Sequence, residues 1–349
     1  MARKMMAKKK AIIHIGGHKT GTSAIQAFCV LNADSLRQMD IIYPLELVSH
    51  IDRIGGQAHH GLVNLFMDAT TFWKHINLRP KGITDADIVS YLKSLPRDKN
   101  ILFSSENLMW FDLESIKAFK EMLSGFDVHV VLYVRRQDDA LQALYQTVVV
   151  SIGETQKFND YTSSVVKEVV KYDKIAENWQ SIVDVGKVMV RVYEPDQLYC
   201  RDTVSDFFQL LAEILQIQVD ISSWKHASGT INRGLPAHIT GLIRYHNTLV
   251  TRKVVVPAIR LMAKWLYKNS RGSYEILSPS ERRRLLESFA ISNENLARKF
   301  LGREDGVLFY DLAIKQTEAE WNQKYNGNGS LLMLLVRDII SKFRVTKPT

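Results

Sequence analysis

What this chain lacks narrows it first. Two cysteines occur in 349 residues, Cys29 and Cys200, and neither sits in a CxxC or beside a histidine pair. That argues against a disulfide framework and a zinc site, and fits a reducing compartment. No run of roughly 18 uncharged apolar residues occurs, so no spanning helix is expected. The opening MARKMMAKKK is basic but lacks the apolar run of a secretory leader. The expected location is cytoplasmic, with peripheral contact at an anionic membrane left open. Internal repeats, low-complexity tracts and Pro/Gly/Ser linkers are also missing. Residues 1–10 read as a basic tail and 11–349 as one domain.

What is present is ordinary globular composition with an uneven charge. Hydrophobic residues at 46% and charged residues at 24% exclude disorder and fibre. The net charge is +9, but residues 225 to 284 alone hold twelve Lys/Arg against two Glu. Five more cations lie in the first ten residues, so the remainder is slightly acidic. Such a basic half suggests an anionic partner: nucleotide, acidic polysaccharide, anionic lipid or nucleic acid. A solvated surface would give the same count. Aromatic residues are not interleaved with the basic ones as in a single-strand stacking platform, so nucleic acid is not expected.

Short apolar runs alternate with helical patterns. AIIHI (11–15), DIIYP (40–44), NILFSS (100–105), DVHVVLYVRR (127–136) and GKVMVRVYE (186–194) read as strands. Helices are predicted from Gly21, over 112–126, and from Asp138 to about Gly153. Residues 50 to 100 look irregular, and the chain after 194 looks mostly helical. Strands with little alternation are covered on both faces, and βαβ order makes them parallel. The expected fold is a three-layer parallel α/β core over about 11–215 with a mostly helical extension over about 216–349.

The first strand runs into HIGGHKTGTSAIQ. Gly16-x4-Gly21-Thr22-Ser23 has the glycine spacing of a phosphate-binding P-loop. A Gly-rich turn between strand and helix aims several N–H groups at one point, where the helix N-terminus adds positive partial charge. Thr20, Thr22 and Ser23 supply hydroxyls. The lysine, however, is Lys19 inside the turn, where a nucleotidase has it at the helix start, the place of Thr22. No strand ends in an Asp suited to Mg²⁺. A cradle without a metal ligand, but with a lysine near the transferred group, suits a sulfuryl group on a nucleoside phosphate.

HIGGHKTGTSAIQ resembles the 5′-phosphosulfate loop of sulfotransferases that use 3′-phosphoadenosine 5′-phosphosulfate (PAPS), particularly the divergent bacterial-type group. VVLYVRRQDDALQALYQ resembles that family's 3′-phosphate-binding strand and helix, and ILFSSENL its strand carrying the catalytic base. The likeness covers roughly residues 11–45 and 100–150. It implies a P-loop-type fold and PAPS as cosubstrate, with no metal. It implies Lys19 at the phosphate–sulfate bridge, with His18, Thr20, Gly21, Thr22 and Ser23 lining the loop. It implies Arg135, with Arg136 beside it, on the 3′-phosphate; eight positions on, the family serine is Ala143 here. The same arginines could instead pair with Asp138 or Asp139. Glu106 matches the base, its pKa expected to rise by partial burial; a helix-capping role is the alternative. His18, His59 and His60 are rival bases, and His14 reads as a satisfied core residue. In KHASGTINRGLP (225–236), Arg233 and Asn232 could close over the nucleotide. Basic-apolar helices are expected over 257–269 and 331–344. The implied acceptor is a carbohydrate or glycolipid hydroxyl, or an amine. A P-loop kinase with an aberrant loop, or a degenerate nucleotide binder, are the rivals.

Overall fold

Four of the five apolar runs become full strands; those at 11–15, 100–105 and 127–136 have a partner on each side, and that at 186–194 pairs along one edge with the run at 127–136. The computed structural model describes residues 8–49, 57–67, 78–163, 165–226, 235–249, 275–314 and 316–325. The strands are β1 (Lys10–His14), β2 (Ile41–Ile42), β3 (Asn100–Ser104), β4 (Asp127–Val134) and β5 (Val188–Val192). They form one sheet in the order β2-β3-β1-β4-β5, every pair parallel. The mixed α/β fold with a parallel sheet is therefore the one expected. The run at 40–44 contributes only Ile41 and Ile42, since Pro44 has no N–H for a ladder.

The chain divides into two compact units. The first comprises residues 1–135, 171–231 and 291–310, and holds the sheet. On one face Ile12, Leu102, Val131 and Tyr133 pack with α1 (Thr22–Leu31) and α9 (Thr203–Leu215), through Phe28, Phe207, Phe208 and Leu211. On the other face Phe103 meets Phe119 of α5 (Leu113–Met122), which packs against α8 (Tyr172–Ile182). Between lie the short α2 (Ala33–Gln38), α3 (Gly61–Phe66) and α4 (Asp85–Ser94).

Register explains why distant segments meet. His14, the last residue of β1, is opposite Ser104 of β3 and Val131 of β4. β1 and β3 thus end side by side, β4 runs three residues further to Val134, and the loops that leave the three parallel strands lie along one carboxyl edge. That is the edge where open parallel sheets bind ligands.

The second unit comprises 136–170, 232–290 and 311–349. It holds α6 (Gln137–Ser151), α7 (Phe158–Ser163), α10 (Ala237–Leu249) and a helix over Pro279–Glu287. A buried ion network ties it together. The fully buried Asp138 accepts from Arg136 at 2.8 Å and from Arg282 at 2.6 Å, and Arg282 also reaches Asp139 at 2.6 Å. Among the described residues no helix is long and apolar enough to cross a membrane. The helices expected over 257–269 and 331–344 lie outside the described residues.

Candidate functional site

The loop after β1 is shaped by two close backbone approaches. Gly16 has φ +55°, and a Cβ there would lie 2.5 Å from Thr22 Cγ2 and 3.3 Å from Glu106 Cβ. A Cβ on Gly17 would stand 2.3 Å from the Tyr133 carbonyl oxygen of β4. The buried Thr20 closes the turn on itself: its hydroxyl donates to the Gly17 carbonyl at 2.7 Å and accepts from Gly17 N–H at 3.2 Å. That hydroxyl is spent on the loop. Gly21, at φ +81°, then leads into α1, which has neither a side-chain cap nor an acidic residue in its first turn. The N–H groups of His18, Lys19, Gly21, Thr22 and Ser23 meet no acceptor among the described residues. Unpaired N–H groups at an unneutralised helix start make a site for an anion.

Lys19 holds a left-handed backbone, φ +66°, that non-glycine residues rarely adopt. Arg135, just past β4, donates from Nη1 to the Lys19 carbonyl at 3.0 Å. The Lys19 ammonium makes no ion pair among the described residues. Burial lowers its pKa, opposed by the Glu106 carboxylate, with Arg135 lowering it further. Two cations with no carboxylate paired to them thus stand by the cradle. The residues present fit a ligand carrying phosphate or sulfate.

Glu106 follows β3. Ser105 caps the 3₁₀ turn Glu106–Trp110, its hydroxyl accepting from Asn107 N–H at 3.3 Å. Gln26 of α1 donates to Glu106 Oε2 at 3.0 Å. The expected rise of the Glu106 pKa does not occur. Burial alone would raise it, but His60, His18 and the Gln26 hydrogen bond outweigh that and bring it to about 2. Glu106 is a carboxylate at every physiological pH.

The histidines separate by their contacts. His59 is fully buried, its Nε2 donating to the Pro44 carbonyl at 3.0 Å and its Nδ1 accepting from Ser104 N–H at 3.0 Å. Burial takes its pKa to about 3, so it is a structural pin with no nitrogen left for chemistry. His60 Nδ1 lies 2.8 Å from the Ser105 hydroxyl, and burial lowers its pKa. His18 Nε2 accepts from the Trp110 indole at 2.9 Å. An indole N–H only donates, so the neutral ring carries its proton on Nδ1. Burial brings the His18 pKa to about 4 against the pull of Glu106. His14 is only half satisfied. Its Nδ1 meets the Ser104 hydroxyl at 2.8 Å, while the buried Nε2 has no partner among the described residues and lies among Tyr133 and Phe207.

Other expected residues fall elsewhere. Arg136 is not free for a phosphate. Its buried guanidinium pairs with Asp138 and donates to the carbonyls of Asp311 and Ala313. The ion-pair alternative thus holds for Arg136, whereas Arg135 makes none among the described residues. Ala143 lies mid-α6, where the Thr147 hydroxyl donates back to its carbonyl at 3.0 Å. Asn232 and Arg233 lie outside the described residues. Sequence reasoning missed Gln26, Trp110 and Ser104. Only Gln26 carried a signal, as a polar residue inside the apolar stripe Ile25, Phe28, Cys29.

No family model matches the chain. An uncharacterised protein of Archaeoglobus fulgidus is 25% identical over 215 residues, which are 59% of this chain and 55% of that protein. The match thus spans about half the relative's length. Among solved structures, a sulfotransferase from Alicyclobacillus acidocaldarius is similar at 14% identity and TM-score 0.43, over 75% of this chain and 97% of that one. Mouse sulfotransferase SULT7A1, solved in complex with PAP, is similar at 13% identity and TM-score 0.41, over 85% and 86%.

Proposed function

We propose that this protein transfers a sulfuryl group from PAPS to a hydroxyl or amine. The observation that carries the reading is Lys19, a cation without an ion pair among the described residues, held in a left-handed turn beside a row of N–H groups that meet no acceptor among them. The Gly21–Ser23 segment would receive the 5′-phosphate. Arg135, which already holds the Lys19 carbonyl, would meet the 3′-phosphate. In the transfer the acceptor oxygen bonds to sulfur as the bond from sulfur to the bridging oxygen breaks. Charge gathers on the departing phosphate oxygen, and Lys19 stabilises it there. The acceptor's proton passes to Glu106. A carboxylate of low pKa is a weak base, yet a loose transition state asks little of one, because the nucleophile loses its proton late. His18, as an Nδ1–H donor, would support the anion and not act as base.

The acceptor class proposed is a carbohydrate or glycolipid. It rests on the resemblance of the loop and on the basic stretch 225–284. The test is to incubate the protein with PAPS and a panel of mono- and oligosaccharides, and to follow adenosine 3′,5′-bisphosphate and sulfated product by mass spectrometry. Acceptor-dependent bisphosphate that disappears in Lys19→Ala supports the reading. Consumption of ATP with Mg²⁺, and none of PAPS, would replace it with a kinase.

A further inference from the structure

Gln26 stands on the buried stripe of α1, 2% exposed, where an amide is costly unless bonded. Its Nε2 donates to Glu106 Oε2 at 3.0 Å and to the Ser104 hydroxyl at 3.3 Å. A carboxylate offers only lone pairs, so the nitrogen end must face it. The Ser104 hydroxyl, accepting from Gln26, gives its own proton to His14 Nδ1 at 2.8 Å. One chain of hydrogen bonds therefore runs from β1 through β3 and α1 to Glu106. Gln26 is four residues beyond Thr22, about 6 Å along the helix whose start forms the anion cradle.

We infer that Gln26 is the positioning residue of this site. It ties Oε2 of Glu106 to α1 and so fixes the carboxylate relative to the cradle. Other groups act on Glu106 through space: His18 and Lys19 from the loop, His60 ahead of α3, His14 on β1 and Tyr43 beyond β2. None of these hydrogen-bonds it; Gln26 is its one side-chain hydrogen-bond partner among the described residues. The inference rests on the proposed transfer only for what Glu106 does, and the coupling to Gln26 is a property of the network itself.

Two variants separate shape from hydrogen bonding. Gln26→Leu removes the amide, and Gln26→Glu keeps the shape but sets a second carboxylate against Glu106. Carbon-13-labelled glutamate side chains are titrated by NMR, with Glu106 assigned by the signal missing in Glu106→Gln. In the wild type Glu106 should not titrate above about pH 4. In Gln26→Leu its midpoint should rise by about one pH unit or more. In Gln26→Glu the two carboxylates should share a proton, one of them titrating above about pH 6. Adenosine 3′,5′-bisphosphate should bind both variants within about threefold of wild type. If Gln26→Leu does not fold, Gln26→Glu decides alone. An unmoved Glu106 titration overturns the inference, as does lost bisphosphate binding without a titration shift, which would make Gln26 a support of the cradle. Wild type that binds no bisphosphate sinks the proposed function instead, and leaves the titration to judge Gln26.

Discussion

Lys19 should be a residue the fold is better without. At φ +66° it sits where a side chain costs about 1–2 kcal/mol per residue. Glycine removes that strain but loses about 0.5–1 kcal/mol of backbone entropy on folding. Lys19→Gly should therefore be as stable as wild type or more stable by up to about 1.5 kcal/mol. Loss of a half-buried, unpaired ammonium acts in the same direction. Lys19→Ala keeps the strained backbone and should lie about 1 kcal/mol below the glycine variant. Both lose the cation at the cradle. A charge-assisted hydrogen bond contributes roughly 1.5–3 kcal/mol, so both should bind adenosine 3′,5′-bisphosphate about 10–100-fold more weakly. Urea denaturation at neutral pH gives the stabilities, and calorimetry the affinities. A glycine variant more than about 1 kcal/mol less stable than wild type would refute the reasoning, for Lys19 would then be holding the loop together.

Gly17→Ala puts a methyl 2.3 Å from the Tyr133 carbonyl, well inside the 3.4 Å where ordinary contact begins, and neither backbone can yield cheaply. It should cost about 1–3 kcal/mol in thermal or urea unfolding and abolish bisphosphate binding; a normal melt and normal binding would show the loop to be slack. Arg135→Ala should weaken the 3′,5′-bisphosphate about 10–100-fold and adenosine 5′-phosphosulfate much less. Arg136→Ala should instead cost about 3 kcal/mol of stability, because it strips one guanidinium from a fully buried carboxylate, and leave affinity alone. His14, His18 and His59 are pushed by burial from an ordinary 6.5 to about 4, 4 and 3. Neutral when folded and protonated when unfolded, they contribute stability that is complete above about pH 6.5 and lost as pH falls toward 4. Glu106, depressed to about 2, loses its contribution lower still, between its ordinary 4.5 and about 2. The free energy of unfolding should fall steeply between pH 6.5 and 4.5, by up to about 4 kcal/mol per pH unit if all three histidines take up protons on unfolding; level stability would contradict the buried neutral rings.

The strands and the loop were legible because both carry strong local signals: uninterrupted apolar runs, and glycines where only glycine fits. The helix Asp85–Ser94 was not read in the irregular stretch 50–100. Yet Thr84 accepts from Asp87 N–H, and Asp87 bonds back to Thr84 N–H, a capping box visible as T-D-A-D. The site was legible as three segments, at 14–23, 105–106 and 135, but not as one place. Nothing local tells that β1 lies between β3 and β4. Nor could neighbouring arginines be told apart. Arg135 leaves the strand toward the Lys19 carbonyl, and Arg136 meets Asp138, a difference set by one peptide unit at the strand's end. The pKa of Glu106 ran opposite to expectation, since burial came with Gln26, His18 and His60, none of which its own sequence context reveals.

The measurement that bears most directly on the function is calorimetric binding of adenosine 3′,5′-bisphosphate and of ATP to the wild-type chain, with and without Mg²⁺. Metal-independent binding of the bisphosphate, far tighter than that of ATP, is the predicted result. Binding of ATP only when Mg²⁺ is present, or of neither nucleotide, would contradict it.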